Sequence, residues 1–90
     1  MSTFHIGTLY AKPEHTEDLV ASFEGLKQAQ GYISHTCYHD VDNHNKITLV
    51  EEWRNKEDHS NFIKSFSQEK MEQWMGMLSA PAEDSFYTKA

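Results

Sequence analysis

The chain has 90 residues, and its 8 lysines and arginines against 14 aspartates and glutamates give a formal net charge of −6. This length predicts one domain spanning residues 1–90 and excludes large multidomain enzyme architectures. The acidic balance disfavours nucleic acid as a partner, because an acidic surface repels a phosphate backbone.

The first ten residues, MSTFHIGTLY, have neither the basic start nor the long apolar segment of a signal peptide. No apolar run approaches the ~20 residues that a membrane-spanning helix needs. Cys37 is the only cysteine and cannot form an intramolecular disulfide. Together these features predict a soluble, cytoplasmic protein without a membrane segment.

Residues 3–11, TFHIGTLYA, alternate in polarity, which is typical of a strand.

A helix is predicted after Pro13, because proline is tolerated at the first helical position and acidic residues follow it. Gly31 is suited to end the helix in a left-handed conformation. Four apolar residues form its buried stripe: Leu19, Val20, Phe23 and Leu26.

Residues 32–41 and 46–54 are rich in β-branched and aromatic residues and predict a hairpin around the polar turn 42–45. A turn centred on residues 43 and 44 places Glu51 opposite Thr36, whereas a three-residue loop places His35 opposite Glu51. We prefer the first register. It groups four side chains on one sheet face: Trp53, Glu51, Thr36 and Tyr38.

Two short helices and a last strand complete the predicted order of elements. Asn55 and Ser67 are suited to cap the helices. The apolar stripe of the first helix includes a histidine, and the two stripes are His59, Phe62, Ile63 and Phe66, then Met71, Trp74, Met75 and Leu78. A final strand is predicted over residues 85–88.

This order predicts an α+β fold, a ferredoxin-like split βαβ antiparallel sheet with helices on one face. Five apolar residues are predicted on the face opposite Phe4, Tyr38 and Leu49: Leu9, Ile33, Cys37, Val41 and Val50. Because both faces carry apolar residues, the uncovered face needs a partner. We expect the sheet of a second copy there, giving a homodimer with a closed two-subunit barrel.

The E-x-W pattern of Glu51 and Trp53, followed by Asn55 and Glu57 and preceded by the D-x-D-N turn of residues 40–43, resembles the antibiotic biosynthesis monooxygenase (ABM) domain family. The resemblance implies a dimeric α/β-barrel. Members of this family include quinol or anthrone oxygenases that need no cofactor, haem-degrading oxygenases, an isomerase of a phosphorylated sugar and proteins of unknown activity.

Two positions depart from the family pattern. Family members commonly place a histidine nine residues after the tryptophan, where this chain has Phe62 and the nearest histidine is His59. The haem-degrading branch uses an asparagine on its first strand, and residues 3–11 contain none. Haem degradation is therefore disfavoured.

The resemblance also implies that the tryptophan face points toward the helices and toward a small-molecule cavity. We expect an apolar cavity between Trp53, the stripe of the second helix, and Tyr10 or Tyr38. Trp53 and Phe62 would hold a flat ring, with Glu51, Thr36 and Tyr10 also contacting the substrate. His59 is the candidate base because its ordinary pKa lies near neutrality, and Tyr38 the candidate hydrogen-bond donor to a phenolate.

Simpler interpretations stand beside these roles. Trp53 is equally explained as core packing, Glu51 as a carboxylate bonded to backbone, and His59 as a surface or satisfied core histidine. His35, Cys37 and His39 form H-x-C-x-H, but the outer pair lies ~13 Å apart along a strand, so no metal site is predicted.

The leading hypothesis is therefore a cofactor-independent monooxygenase that uses molecular oxygen on a quinol-type or polycyclic aromatic substrate. An isomerase of a small phosphorylated carbonyl compound on the same fold is the first alternative, although a chain with few arginines and lysines argues against it. A non-catalytic, ligand-binding or stress-associated dimer is the second. Shared architecture does not distinguish these, because fold does not fix chemistry.

Overall fold

The structure, a computed structural model, describes residues 1–90 and forms a four-stranded antiparallel sheet with three α-helices. In chain order the elements are β1 (Thr3–Tyr10), α1 (Thr16–Ser22), β2 (Tyr32–His39), β3 (Lys46–Trp53), α2 (Lys56–Lys64), α3 (Gln68–Met75) and β4 (Glu83–Tyr87). The strand order across the sheet is β2-β3-β1-β4. This arrangement confirms the predicted α+β ferredoxin-like fold.

The segment after β1 is not one continuous helix, as the sequence predicts. Two 3-10 segments, Pro13–His15 and Phe23–Gln28, flank the seven-residue α1. Such tighter turns are common at helix ends, and here they still direct the apolar stripe inward, with Leu19 fully buried. Gly31 has φ +84°, which confirms the left-handed stop. A side chain at that position would collide with the carboxylate of Asp58.

The preferred hairpin register is wrong and the alternative is correct, because His35 lies opposite Glu51. The carboxylate of Asp40 accepts hydrogen bonds from the backbone N–H groups of Asp42 and Asn43, at 2.8 and 3.0 Å. These bonds hold a longer loop than the two-residue turn that the preferred register needs. A bulge near Ile33 then shifts the pairing again, so that Tyr32 lies opposite Trp53.

The one-residue change of register moves the side chains of β2 to the other face of the sheet. Thr36 and Tyr38 therefore lie on the face that carries no helices, pairing with Val50 and Thr48. Cys37 turns toward the helices and packs against the core.

Apolar side chains occupy both faces of the sheet. The core between sheet and helices contains eight buried residues: Leu9, Ala11, Leu19, Phe23, Leu26, Ile47, Leu49 and Trp53. Leu9, predicted for the opposite face, belongs to this core because β1 directs its odd-numbered residues toward the helices. The open face carries Phe4 and Ile6 instead, beside Val50, which lies there as predicted. Val41 lies outside the strands and is fully exposed.

Both predicted helix caps are confirmed. The side chain of Asn55 accepts a hydrogen bond from the Asp58 N–H at 2.8 Å, and that of Ser67 accepts one from the Lys70 N–H at 3.1 Å. None of the helices combines the length and the apolar character that crossing a bilayer requires.

Candidate functional site

Three buried polar side chains meet between the sheet and α2. The pairing of β1 with β3 places His5 opposite Glu51, and both side chains point toward the helices. The Asn55 cap starts α2 directly after β3, and the first turn of that helix brings His59 over the same pair. His5, Glu51 and His59 are 9%, 3% and 8% exposed. We call this group the His-Glu-His cluster.

The oxygen Oε1 of Glu51 is the centre of the cluster. It lies 3.3 Å from His5 Nδ1 and 3.8 Å from His59 Nε2. The indole N–H of Trp53 donates a 2.6 Å hydrogen bond to the same oxygen. The two imidazole rings lie 4.2 Å apart, and the Trp53 ring meets His59 edge-on at 5.3 Å. Trp53 therefore fixes the carboxylate against the two histidines.

Strand β4 completes the surroundings of His5. Its Nε2 atom lies 2.6 Å from Oδ2 of Asp84, within hydrogen-bond distance. The ring of Phe86 packs against His5 at 4.7 Å and against His59 at 5.1 Å. The Asp84 carboxylate thus orients the His5 ring, while Phe86 covers the cluster on one side.

The two histidines are driven toward opposite protonation states. Burial acts to lower the pKa of His5, but its interactions with the carboxylates of Glu51 and Asp84 outweigh burial and raise that pKa. Burial, followed by repulsion from His5, lowers the pKa of His59 despite the attraction of the same carboxylates. Groups whose environments separate their pKa values in this way are suited to act as an acid and a base.

The His-Glu-His cluster forms part of the wall of a cleft of about 1140 Å³. The other walls come from the second 3-10 segment, α2, α3 and the loop between these two helices. They are rich in apolar and aromatic side chains, including Phe23, Leu26, Phe62, Phe66, Met71 and Trp74. Lys70 is the only lysine or arginine in the lining. A large, mainly apolar cleft with a few convergent polar groups is the usual form of a small-molecule site.

The family model described as "Antibiotic biosynthesis monooxygenase" matches residues 3–76, which include β1, β3 and α2 with all three members of the cluster. The chain belongs to the antibiotic biosynthesis monooxygenase family. Comparison with curated protein sequences gives no significant match.

Solved structures of several organisms are similar in fold to this ABM protein. A conserved protein from Methanosarcina mazei superimposes with a TM-score of 0.82 at 19% identity, covering 100% of this chain and 94% of its own. SnoaB, a cofactor-independent oxygenase from Streptomyces nogalater, gives 0.80 at 12% identity over 98% and 92%. The ActVA-Orf6 monooxygenase from Streptomyces coelicolor, in complex with nanaomycin D, gives 0.79 at 19% over 99% and 88%. Identities this low establish the fold alone.

Within the ABM protein, three of the predicted site residues come together and four do not. Glu51, His59 and Phe62 all line the cleft. Trp53 is fully buried and lies behind Glu51 rather than at the cleft surface. The remaining three, Tyr10, Thr36 and Tyr38, lie on the open face of the sheet, away from the cleft.

Sequence reasoning did not identify His5 or Asp84 as site residues. The alternation of β1 places His5 on the face opposite Phe4 and Ile6, which is a usable signal. Its position opposite Glu51, however, depends on the pairing of two strands that are not neighbours in sequence. Asp84 lies before the predicted start of the last strand at Ser85, whereas β4 begins at Glu83.

The H-x-C-x-H residues do not form a joint site. The Tyr32 hydroxyl lies 2.7 Å from His35 Nδ1, and His39 Nδ1 lies 2.8 Å from the carbonyl oxygen of His44. Burial raises the pKa of the Cys37 thiol, which disfavours the reactive thiolate. Each of the three residues therefore has its own separate surroundings.

Proposed function

We propose that this ABM protein is a monooxygenase that uses molecular oxygen to oxidise a flat quinol-type or polycyclic aromatic compound without a cofactor. One observation carries the proposal: the buried His-Glu-His cluster is part of the wall of an apolar cleft large enough for such a molecule. The proposal also draws on membership of the family. The relatives SnoaB and ActVA-Orf6 are a cofactor-independent oxygenase and a monooxygenase.

The walls of the cleft favour an aromatic substrate over a phosphorylated one. Phe62 lies next to the cluster, with its ring 5.9 Å from that of Trp53, and Phe66 stacks edge-on against Phe62 at 4.8 Å. These rings offer a surface on which a planar molecule packs. A phosphate group needs several cationic partners, and Lys70 alone is too few.

In the proposed reaction His59 accepts a proton from the substrate. The His59 side chain lines the cleft, and its Nε2 atom is the proposed proton acceptor. Burial favours the neutral form of this histidine, which is the form that can accept a proton. His5, held between Glu51 and Asp84, supplies positive charge near the anion that develops on the substrate. Trp53 has a positioning role, because it holds the carboxylate of Glu51 through the indole N–H.

The electrons for the reaction come from the substrate itself. After His59 removes the proton, the substrate carbanion transfers electrons to oxygen and a carbon–oxygen bond forms. The protonated His59 then returns its proton to the peroxide oxygen, which gives a hydroperoxide. Loss of water then leaves a carbonyl group on the ring. One oxygen atom of O₂ ends in the product and the other in water. The two hydrogen atoms of that water balance the two hydrogens that the oxidised carbon loses, one to His59 at the start and one when water leaves.

The open face of the sheet is proposed as a homodimer interface. Tyr38 and Tyr87 are 56% and 51% exposed, and Ile6 and Val50 lie beside each other on this face. Exposed apolar surface of this kind is typical of a protein contact. Tyr10, Thr36 and Tyr38 would then contact the partner rather than the substrate. A cytoplasmic location remains a prediction.

Oxygen consumption tests the proposed function. Chelator-treated protein is supplied with a panel of hydroquinones and anthrones, and uptake above the autoxidation rate is expected. Loss of a general base typically costs 10²–10⁴-fold in rate, so His59→Gln should lower the uptake about 100-fold or more. His15→Gln is the matched control, because His15 lies beside the exposed Asp18, away from the cleft.

Two outcomes would contradict the proposal. The first is no uptake with any member of a broad panel, although the protein is folded. The second is equal loss of uptake in the His59→Gln and His15→Gln variants, which would show that the effect is not specific to the cleft.

A further inference from the structure

The His-Glu-His cluster leaves hydrogen-bonding capacity unused at its centre. His5 Nδ1 is buried and has no hydrogen-bond partner, although Glu51 Oε1 is only 3.3 Å away. When His5 donates its Nε2–H to Asp84, Nδ1 presents a lone pair to a carboxylate oxygen. Two acceptors facing each other at this distance repel unless a cation lies between them.

A proton satisfies only part of this arrangement. Placed on His5 Nδ1, it pairs with Glu51 but leaves His59 Nε2, 3.8 Å from the same carboxylate, too far for a hydrogen bond. A metal ion bound between the three side chains would satisfy all of them at once. We propose that His5, Glu51 and His59 form a binding site for a divalent first-row transition metal, with open coordination positions facing the cleft.

The distances between the three ligand atoms allow this proposal after rotation of the side chains. One ligand atom from each of the three side chains lies within 4.8 Å of the others. Tetrahedral zinc with bonds of ~2.0–2.2 Å to histidine nitrogen and carboxylate oxygen places its ligand atoms about 3.4 Å apart. The widest pair, within 4.8 Å, therefore needs to close by up to about 1.4 Å, which requires rotation of the side chains that hold the ligand atoms.

The donor set and its surroundings also suit a transition metal. Two imidazoles and one carboxylate are ligands that Zn²⁺ and Fe²⁺ accept while keeping positions open. Asp84 accepts a hydrogen bond from the far nitrogen of His5, and Trp53 donates one to Glu51. Such outer partners orient ligands in metal sites. The carboxylates of Glu51 and Asp84 would also balance the two positive charges of the ion.

Metal binding has a consequence that rests on the proposed function. The metal and the substrate proton would compete for the same lone pair of His59 Nε2. A bound ion therefore inhibits cofactor-free oxygen uptake, so that the metal acts as a regulator of the site. Binding itself is measured without any activity, and its test remains valid if no substrate is found.

The test uses the full-length, chelator-treated protein with Co²⁺ followed by visible absorption and Zn²⁺ followed by calorimetry. One ion per chain is expected, together with a Zn²⁺-dependent rise in the thermal midpoint of unfolding. His5→Gln and His59→Gln should each abolish saturable binding. Asp84→Asn, which alters only an outer partner, should weaken binding ~10–100-fold. Thermal unfolding without metal shows which variants are folded.

His39→Gln is the matched control, because His39 is exposed and bonds to a backbone carbonyl outside the cluster. It should leave the affinity unchanged. The proposal is overturned if the folded wild-type protein binds no ion saturably, or if folded His5→Gln and His59→Gln variants bind as tightly as wild type. Loss of binding in His39→Gln, or a thiolate-to-cobalt charge-transfer band, would place the metal at Cys37 instead and also overturn it.

Discussion

Trp53 should stabilise the protein largely through its bond to Glu51. The side chain is fully buried, and its indole N–H donates at 2.6 Å to a carboxylate that is itself 3% exposed. Trp53→Phe removes this donor and part of the ring. A hydrogen bond to a charged group contributes ~1.5–3 kcal/mol, so with the smaller ring the free energy of unfolding should fall by roughly 2–4 kcal/mol. Trp53→Ala should cost ~3–5 kcal/mol or more.

Urea denaturation of a double-mutant cycle measures the bond between the two side chains. Glu51→Gln removes the charge but keeps an amide oxygen that can accept from the indole N–H. The loss of stability in the double variant should therefore be smaller than the sum of the two single losses by about 1 kcal/mol, the difference between a charged and a neutral hydrogen bond. Trp74→Phe is the matched control, because Trp74 lines the cleft and is only partly buried. Its effect should be smaller and additive with Glu51→Gln. Additivity of Trp53→Phe and Glu51→Gln within ~0.5 kcal/mol would refute the reasoning.

Two further predictions concern stability against pH and oligomeric state. Because the pKa of His5 is raised, its contribution to stability is present below ~6.5, the ordinary histidine pKa, and is lost as pH rises through the folded value. The lowered pKa of His59 makes the unfolded state bind the extra proton first, so stability falls as pH drops below ~6.5. The urea midpoint of chelator-treated protein should therefore depend less on pH on the alkaline side in His5→Gln and less on the acidic side in His59→Gln. Variants with the same pH dependence as wild type would contradict this. Light scattering should show a dimer that Ile6→Lys converts to monomer while Val41→Lys does not; a monomeric wild type would disprove the interface.

The sequence was sufficient to predict the order of elements because local signals were strong there. The Asn55 and Ser67 caps, the left-handed Gly31 and the apolar stripes each specify structure over a few residues. The hairpin register failed because it depended on the loop, where the carboxylate of Asp40 bonds two backbone N–H groups. Asp40 is a residue type that bonds the backbone two residues on, but the polar residues 42–45 also suit a tighter turn, so the loop length stayed open.

The candidate site was predictable only in part for a related reason. Glu51 and His59 lie near each other in the chain, on a strand and the helix that follows it, so their proximity could be inferred. His5 reaches them through a pairing between β1 and β3, whose register is set by packing across the whole sheet. Tyr38 was predicted at the site because the strand register was wrong by one residue, and such an error places a side chain on the opposite face of the sheet.

Part of the site lies outside the segment that the family model matches. The family match covers residues 3–76, whereas Asp84 and Phe86, which orient and cover His5, come from β4 beyond that range. Strands β1 to β3, the three α-helices and the Trp53–Glu51 bond lie inside the matched segment, and a shared scaffold does not fix chemistry. Without Asp84, His5 would lose the partner that directs its other nitrogen toward Glu51 and His59. Both the positive charge proposed for oxygenation and the proposed metal site therefore depend on this one carboxylate, and Asp84→Asn should alter both while leaving the sheet intact.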